Sequence, residues 1–447
     1  MEEDVSKPMS NANDVQASNA REIPLKRALG LIQITFLGVG TAIGGVIFAI
    51  MGRAVSAAGP GIIVTFLIGA VFAFFMGICY AELGAAVPGG AGGAVSYVRR
   101  AYGDRLPTFL AGWFSWVGSL TDCSIGSLVF AFSVQYLVGW VEPFTLATLT
   151  LVFFALINFR GARAMSIVQF AVTAVLVLSL CSYIFGSSLN FEVRNFQPMF
   201  PNGLLTVFLM VSYIFPTFAG YETITQLSEE VKTAGKTIPR ALWLTLILIT
   251  FLFVGSAVAT IAGAPPRIYL NSNTPLQDVA NYFMGPVGGL IISVGSIVAT
   301  LSTINGSMAG GTRIAYALGR SRLLPSVFGK VHPKHRSPYN SLALTVLVSI
   351  LFVWTGSVDF IVYAIALGYT VTAIMVALAL MRLRKTEPHL YRPFKVPLYP
   401  LIPILAIGFL VFMLATLSLQ SIALGLLLGL VGIGLLKLTK RQQKAHK

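Results

Sequence analysis

Apolar residues come in long blocks along the chain, and the polar stretches between them are short and hold most of the charge. A helix needs roughly 20 mostly apolar residues to cross a bilayer. Twelve blocks read as such spans, over residues 32–54, 61–83, 107–138, 143–159, 165–187, 204–225, 240–263, 286–317, 339–356, 359–381, 400–417 and 419–437. One such block alone reads equally well as a buried helix of a soluble protein; twelve in succession do not. Residues 1–27 are polar, lack the apolar core and cleavage site of a signal peptide, and read as a disordered tail.

Composition sharpens this reading. Hydrophobic residues make up 56% of the 447 and charged residues 11%, against roughly 25% charged in a soluble domain. So apolar a chain cannot cover itself with polar surface, which excludes an ordinary soluble enzyme. The charge is also lopsided, with 31 Lys+Arg against 16 Asp+Glu and a net +15. Twelve spans put both termini on one side, and 28 of the 31 basic residues then fall on that side, in the tails and the even-numbered loops. Only Arg53, Arg194 and Arg267 fall on the other. Cytoplasmic loops carry the excess of Lys and Arg, so a multi-pass protein of the plasma membrane is expected, with both termini cytoplasmic. Basic residues spread over every inner loop do not make a nucleic-acid surface. Cys79, Cys123 and Cys181 sit in apolar runs and form no disulfide framework.

Two spans carry strong helix breakers. The first reads GVGTAIGGV at residues 38–46, and the sixth reads FPTFAGYE at residues 215–222. Each glycine weakens a helix interior by about 1 kcal/mol. Pro216 removes a backbone donor and collides with the preceding turn. If the first ten spans are two repeats of five, the first and sixth correspond, and because five is odd the second repeat is inverted. Broken spans in matching positions point to a transporter binding site at the bilayer midplane. Freed N–H groups there hold a carboxylate, and freed carbonyls hold an ammonium or a cation. Glycines that only let helices pack closely are the alternative. The resulting organisation is a tail over 1–27, five spans in 28–187, five inverted spans in 188–383, and two appended spans with a basic tail in 384–447.

These segments resemble motifs of the amino acid–polyamine–organocation (APC) transporter superfamily, in order and through most of the chain. Residues 40–48, GTAIGGVIF, are similar to G-x-x-I-G-(S/T)-G-I-F, and residues 79–84, CYAELG, with PGGAGG at 88–93 and Tyr97, resemble the end of the second span. FAGYE at 218–222, Glu229-Glu230-Val231 with IPRA at 238–241, and RIAYAL at 313–318 match further motifs. So do LLP at 323–325, His332-Pro333, Pro338-Tyr339-Asn340, and RPFKVP at 392–397. The resemblance implies an all-α membrane protein of twelve helices, a five-plus-five inverted repeat of the LeuT type with two appended helices, and secondary transport of amino acids or amines. It also implies substrate contacts at Thr41, Ala42, Ile43, Gly44, Gly45 and Val46, at Ser119, at Thr217, Phe218, Ala219 and Gly220, and at Asn305. The chain departs from the family pattern at Gly45, where a hydroxyl residue is usual, and at Val46, where glycine is usual. The lysine that some proton-coupled members carry in the fifth span aligns with Leu176.

Acids inside membrane spans are costly and mark function by default. Of the 16 acids, Asp122 in the third span and Glu222 in the sixth fall well inside one. Glu222 follows the break. It is expected to carry a coupling proton or to pair with a substrate ammonium; the alternative is that it bonds backbone groups that the break sets free. Asp122 is not expected from the family. It lies about one turn beyond Ser119 and favours a cationic group on the substrate, the alternative being an interhelical hydrogen bond. Ser302, Thr303 and Asn305 are expected to form one helical face of oxygen ligands within a turn of the eighth span, where sodium-coupled relatives of this fold hold a cation with first-span carbonyls. Small hydroxyl residues are also common helix glue. The coupling ion is thus H+ or Na+, with obligate exchange equally allowed; no metal and no cofactor are expected.

Glu82, at the inner end of the second span, is expected near Arg313 as a gating or structural pair. His332, His335, His389 and His446 lie in inner loops or the tail. His332 and His335 have a metal-like spacing, but with no Cys or acid beside them they read as ordering the loop. There is no P-loop, HExxH or nucleophile elbow, so neither ATP-driven transport nor an enzyme is expected. The leading reading is a permease for amino acids or related amines, embedded in the bilayer and with no nucleic-acid partner. A polyamine or organic-amine exchanger is the alternative. A membrane-embedded enzyme, a channel and a transporter-like nutrient receptor are the different classes, and oligomeric state is left open.

Overall fold

The structure, a computed structural model, describes residues 29–445 except 88–92, 161–165, 227–230, 334, 336 and 418. The tail over 1–27, the glycine-rich stretch 88–92, Arg163, Glu229, Glu230, Lys334, Arg336 and His446 lie outside the described residues.

Among the described residues the chain is helical and contains no strand. In the first half, α1 (Leu31–Ala42) and α2 (Val46–Ala58) are followed by α3 (Ile62–Ala86), the short α4 (Ala94–Tyr102), α5 (Leu106–Val138), α6 (Pro143–Arg160) and α7 (Ser166–Gly186). The second half holds α8 (Gly203–Ile214), the four-residue α9 (Thr223–Gln226), α10 (Ala234–Gly263), α11 (Pro275–Arg320), α12 (Tyr339–Val353) and α13 (Val358–Thr386). Then come α14 (Leu401–Ala415) and α15 (Leu419–Ala445). Among the described residues, seven stretches are long and apolar enough to cross a membrane, and five shorter apolar helices of 10–17 residues accompany them. Over its described residues each expected apolar block is mainly helix, apart from the breaks and a few terminal positions. The block at 286–317 extends back to Pro275, because the chain kinks at Gly285 (φ 67°), before Pro286, rather than stopping there.

The two breaks fall where glycine and proline crowd, and each is shorter than the run of breakers. Gly38 and Gly40 stay inside α1, and only residues 43–45 leave the helix. Gly38 is held there by packing: a side chain at this position would strike Ile224 and Thr245. In the sixth block, α8 tightens into a 3-10 turn over Phe215–Phe218, opened by Pro216, and the chain then turns through 219–222 before α9.

The long α5 runs through the centre, packed along α11 on one flank and α13 on another. The crossing with α13 is close because both chains present glycine: a Cβ at Gly368 would lie 2.7 Å from the Gly118 nitrogen. On the other side of the bundle, α3 packs against α10, and α1 packs against α7 and α10. The two broken segments thus sit between α5, α11 and the α3–α10 pair.

Candidate functional site

The two breaks touch. Thr41, in the last turn of α1, places its hydroxyl 2.9 Å from that of Thr223 and 3.1 Å from the Gly220 carbonyl. Thr223 donates to the same carbonyl at 2.7 Å. Gly220 has φ +106°, and a Cβ on it would lie 2.5 Å from the Thr41 oxygen. Glycine is therefore required twice over at this point, by conformation and by space. On the α2 side, the first intrahelical bond runs from Ala49 N–H to Gly45 O. The N–H groups of residues 45–48 have no partner within the helix, and they form the positive end of its dipole. Gly44 lies against Thr303 of α11, and Gly45 lies against Thr300 and Gly126.

A crevice opens beside this junction. Within the otherwise buried middle of α5, Ser115 and Asp122 are half-exposed, two turns apart on one face. On α11, Thr303, Gly306, Ser307 and Gly310 are half-exposed, and Arg313 and Ala317 further along the same side are exposed. That side faces the interior, since Thr303 touches Gly44 and Ser307 reaches Asp122. Side chains added at Gly306 or Gly310 would meet nothing within 4 Å. Along α1 the matching series is Gln33, Leu37 and Thr41, exposed at Gln33 and half-exposed higher up. The crevice therefore leads from the breaks toward the end of the bundle where α1 begins and α11 finishes.

The opposite end is bridged. Tyr213 of α8 donates to Asp359 Oδ1 in the first turn of α13 at 2.6 Å, and Arg53 of α2 lies 3.6 Å from the same oxygen. The Tyr213 and Tyr363 rings pack together beside this bridge. Three helices that flank the breaks are thus tied together on that side.

Both intramembrane acids line the crevice. Glu222 is half-exposed and accepts the Gly220 N–H at 2.8 Å, so it does bond a backbone group freed by the break. Asp122 accepts the Tyr369 phenol at 2.5 Å and the Ser307 hydroxyl at 3.5 Å, both on Oδ2. The two carboxyls come one from each half of the chain. Tyr369 was missed in the sequence. The signal was slight: a phenol in the middle of an apolar span, whose ring the structure lays against Gly118.

Other expected site residues are placed differently. The Phe218 ring is fully buried between Phe66 of α3 and Phe253 of α10, so it packs the bundle and does not line the crevice. Thr217 is also buried, with its hydroxyl on the Ile214 carbonyl, whereas Ala219 is half-exposed at the break. Ser119 is turned to Gly311, and its hydroxyl bonds Ser115 O. Ala42, Ile43 and Val46 are buried around the first break. The three polar residues of the eighth block do not share one face. Thr303 meets the first break, while Asn305 accepts from Asn158 of α6 at 3.0 Å, because two positions along a helix rotate a side chain by about 200°. Ser302 lies one position before Thr303 and is half-exposed.

The expected Glu82–Arg313 pair does not form. Arg313 is exposed on α11, while Glu82 is fully buried and held by Arg384 at 2.6 and 2.7 Å, by Arg392 at 3.1 Å and by the Val396 N–H at 2.7 Å. The reason is the fold of the RPFKVP segment. Arg392 donates to the carbonyls of Leu383 and Glu387, capping the end of α13, and this brings the segment back over the end of α3. His332 and His335 pack with each other and with Phe159, and His332 accepts the His335 N–H, as a loop-ordering role requires.

The profile of the amino acid permease family matches residues 29–443. The chain belongs to the amino acid permease family. It is 26% identical to the branched-chain amino acid permease BcaP of Bacillus subtilis over 94% of each chain. It is also 26% identical to the serine/threonine exchanger SteT of the same organism, over 92% of this chain and 96% of the relative. The methylthioribose transporter of B. subtilis is 25% identical over 88% of each chain. The protein is thus a multi-pass membrane permease of the APC superfamily and a transporter rather than an enzyme.

Proposed function

We propose that this permease moves amino acids or related amines across the plasma membrane by alternating access, with the substrate held where the two breaks meet. One observation carries the reading: a crevice lined by both breaks and by both intramembrane acids leads to one end of the bundle, while Arg53, Asp359 and Tyr213 bridge the other. The N–H groups at the start of α2 that the helix itself leaves unpaired suit a substrate carboxylate, and the acids and the Gly220 carbonyl suit an ammonium. The excess of basic residues on the terminal side supports a cytoplasmic location for both termini, and the conformation then is open inward. A five-plus-five inverted repeat in a twelve-span chain accounts for broken segments at equivalent places in the two halves.

Glu222 is the proton carrier of choice under this reading, because it sits in the crevice and, among the described residues, its side chain bonds only a backbone donor, the Gly220 N–H. Thr303, beside Gly44, supports a sodium site less strongly, since its hydroxyl already donates to Ala299 O. The test is flux into proteoliposomes carrying the purified protein, with labelled amino acids and amines, under imposed pH and sodium gradients and in counterflow. Uptake in counterflow or under a gradient is expected; none under any condition overturns the transport reading. Glu222→Gln keeps an oxygen for the Gly220 N–H and should lose pH-driven uptake while keeping counterflow. Unchanged pH-driven uptake in that variant removes Glu222 from the coupling.

A further inference from the structure

We infer that the crevice takes substrates bearing an alkylammonium or guanidinium group, basic amino acids or diamines, and that Asp122 is the residue that receives this group. This rests on the transport reading above and narrows its substrate.

The argument starts from the bonding of one carboxyl group. Tyr369 and Ser307 both donate to Asp122 Oδ2, and Oδ1 has no hydrogen-bond partner among the described residues. No Lys, Arg or His forms an ion pair with Asp122 among the described residues, although every other acid paired in this structure sits at an end of the bundle. An ionised carboxylate accepts about four hydrogen bonds, so acceptor capacity is left pointing into the crevice. The residue keeps partial exposure on the crevice, although its carboxyl lies deep in the bundle, whereas a purely interhelical hydrogen bond would seal it in a helix contact.

The space beside it has a matching shape. Gly306 and Gly310 leave the crevice side of α11 bare next to Ser307. Four residues of helix rise by about 6 Å, comparable with the length of a lysine side chain. Larger residues at either position would fill the space that an alkyl chain would occupy.

Charge selects the end group. Glu222 adds a second carboxyl to the same crevice, with one oxygen already on the Gly220 N–H. Two carboxylates facing one low-dielectric crevice repel each other unless a cation lies between them. An ammonium or guanidinium supplies that cation together with several donors. A neutral side chain of equal length leaves Oδ1 unpaired and both charges uncompensated.

The experiment is counterflow in proteoliposomes of the full-length protein, using labelled lysine and labelled norleucine, with lysine, ornithine, cadaverine and norleucine as competitors. Norleucine has the length of lysine without the amine. Lysine and ornithine are expected to compete at least roughly tenfold better than norleucine. Cadaverine competing as well as lysine assigns a diamine site; weak competition by cadaverine with strong competition by lysine assigns a basic amino acid, and both uphold the inference. Asp122→Asn is expected to bring lysine and norleucine to within about twofold of each other while norleucine still enters. If that variant does not fold, the wild-type comparison decides alone. Norleucine entering the wild-type protein as well as lysine, or better, overturns the inference and leaves the transport reading standing. No entry of either label, nor of any other amino acid, overturns the transport reading itself.

Discussion

The junction of the two breaks makes a quantitative demand on Gly220. Replacing it with alanine asks an L-residue to adopt φ +106° and puts a methyl group 2.5 Å from the Thr41 carbonyl oxygen and 3.0 Å from the Ala42 Cα. The conformational part costs about 1–3 kcal/mol. The steric part is overpacking against backbone on the partner segment, which has no rotamer to escape into, and adds about 1–3 kcal/mol. Gly220→Ala should therefore destabilise the protein by about 2–6 kcal/mol, or separate the breaks and lose the Thr41–Gly220 and Thr41–Thr223 contacts. The control is Gly306→Ala, where the new methyl meets nothing within 4 Å. Thermal unfolding in detergent should show Gly220→Ala clearly below wild type and Gly306→Ala close to it. Counterflow should be lost in the first variant and reduced in the second, whose methyl group enters the crevice. A Gly220→Ala protein with wild-type unfolding temperature and wild-type flux would refute the placement of the two breaks against each other.

The remaining predictions concern the two ends of the bundle. Glu82→Gln removes the carboxylate shared by Arg384 and Arg392, whose side chains are 19% and 5% exposed, and should cost about 3–5 kcal/mol in thermal unfolding. An unchanged unfolding temperature would show that the arginines find other partners. Arg53→Ala breaks a 3.6 Å pair whose partners are 36% and 49% exposed, so its effect on stability should stay below about 1 kcal/mol, measured the same way. A cysteine in place of Gly310, with the partly exposed Cys181 replaced by serine, should react with a membrane-impermeant thiol reagent only from the side that carries the termini, given that Cys79 and Cys123 are buried. Labelling from the opposite side alone would reverse the sense of the crevice.

Much of this architecture was legible in the chain, and the parts that were not share a cause. The apolar blocks, the two broken segments and the intramembrane acids are visible because hydropathy and helix-breaking act within a few residues. Phe218 was misjudged because an aromatic next to a break faces either the crevice or the core, and only the positions of Phe66 and Phe253 decide which. Asn305 was grouped with Thr303 by proximity in sequence, where the helical period separates them. Glu82 was matched with the wrong arginine because the sequence offers several at the same end. The choice fell to the segment after α13, which turns back only once Arg392 caps that helix.

The sequence by itself determined that this chain lives in a bilayer, where its helices lie, where two of them must break, and which family it resembles. These follow from transfer free energies and backbone sterics, which sum locally along the chain. The tertiary structure alone decided what faces what. Tyr369 reaches Asp122 across 247 positions, and Arg384 reaches Glu82 across 302. Thr41 meets Gly220 across 179. A polar group in an apolar interior must find its partner or open space through the packing of whole helices, and that packing is a property of the assembled bundle rather than of any segment of it.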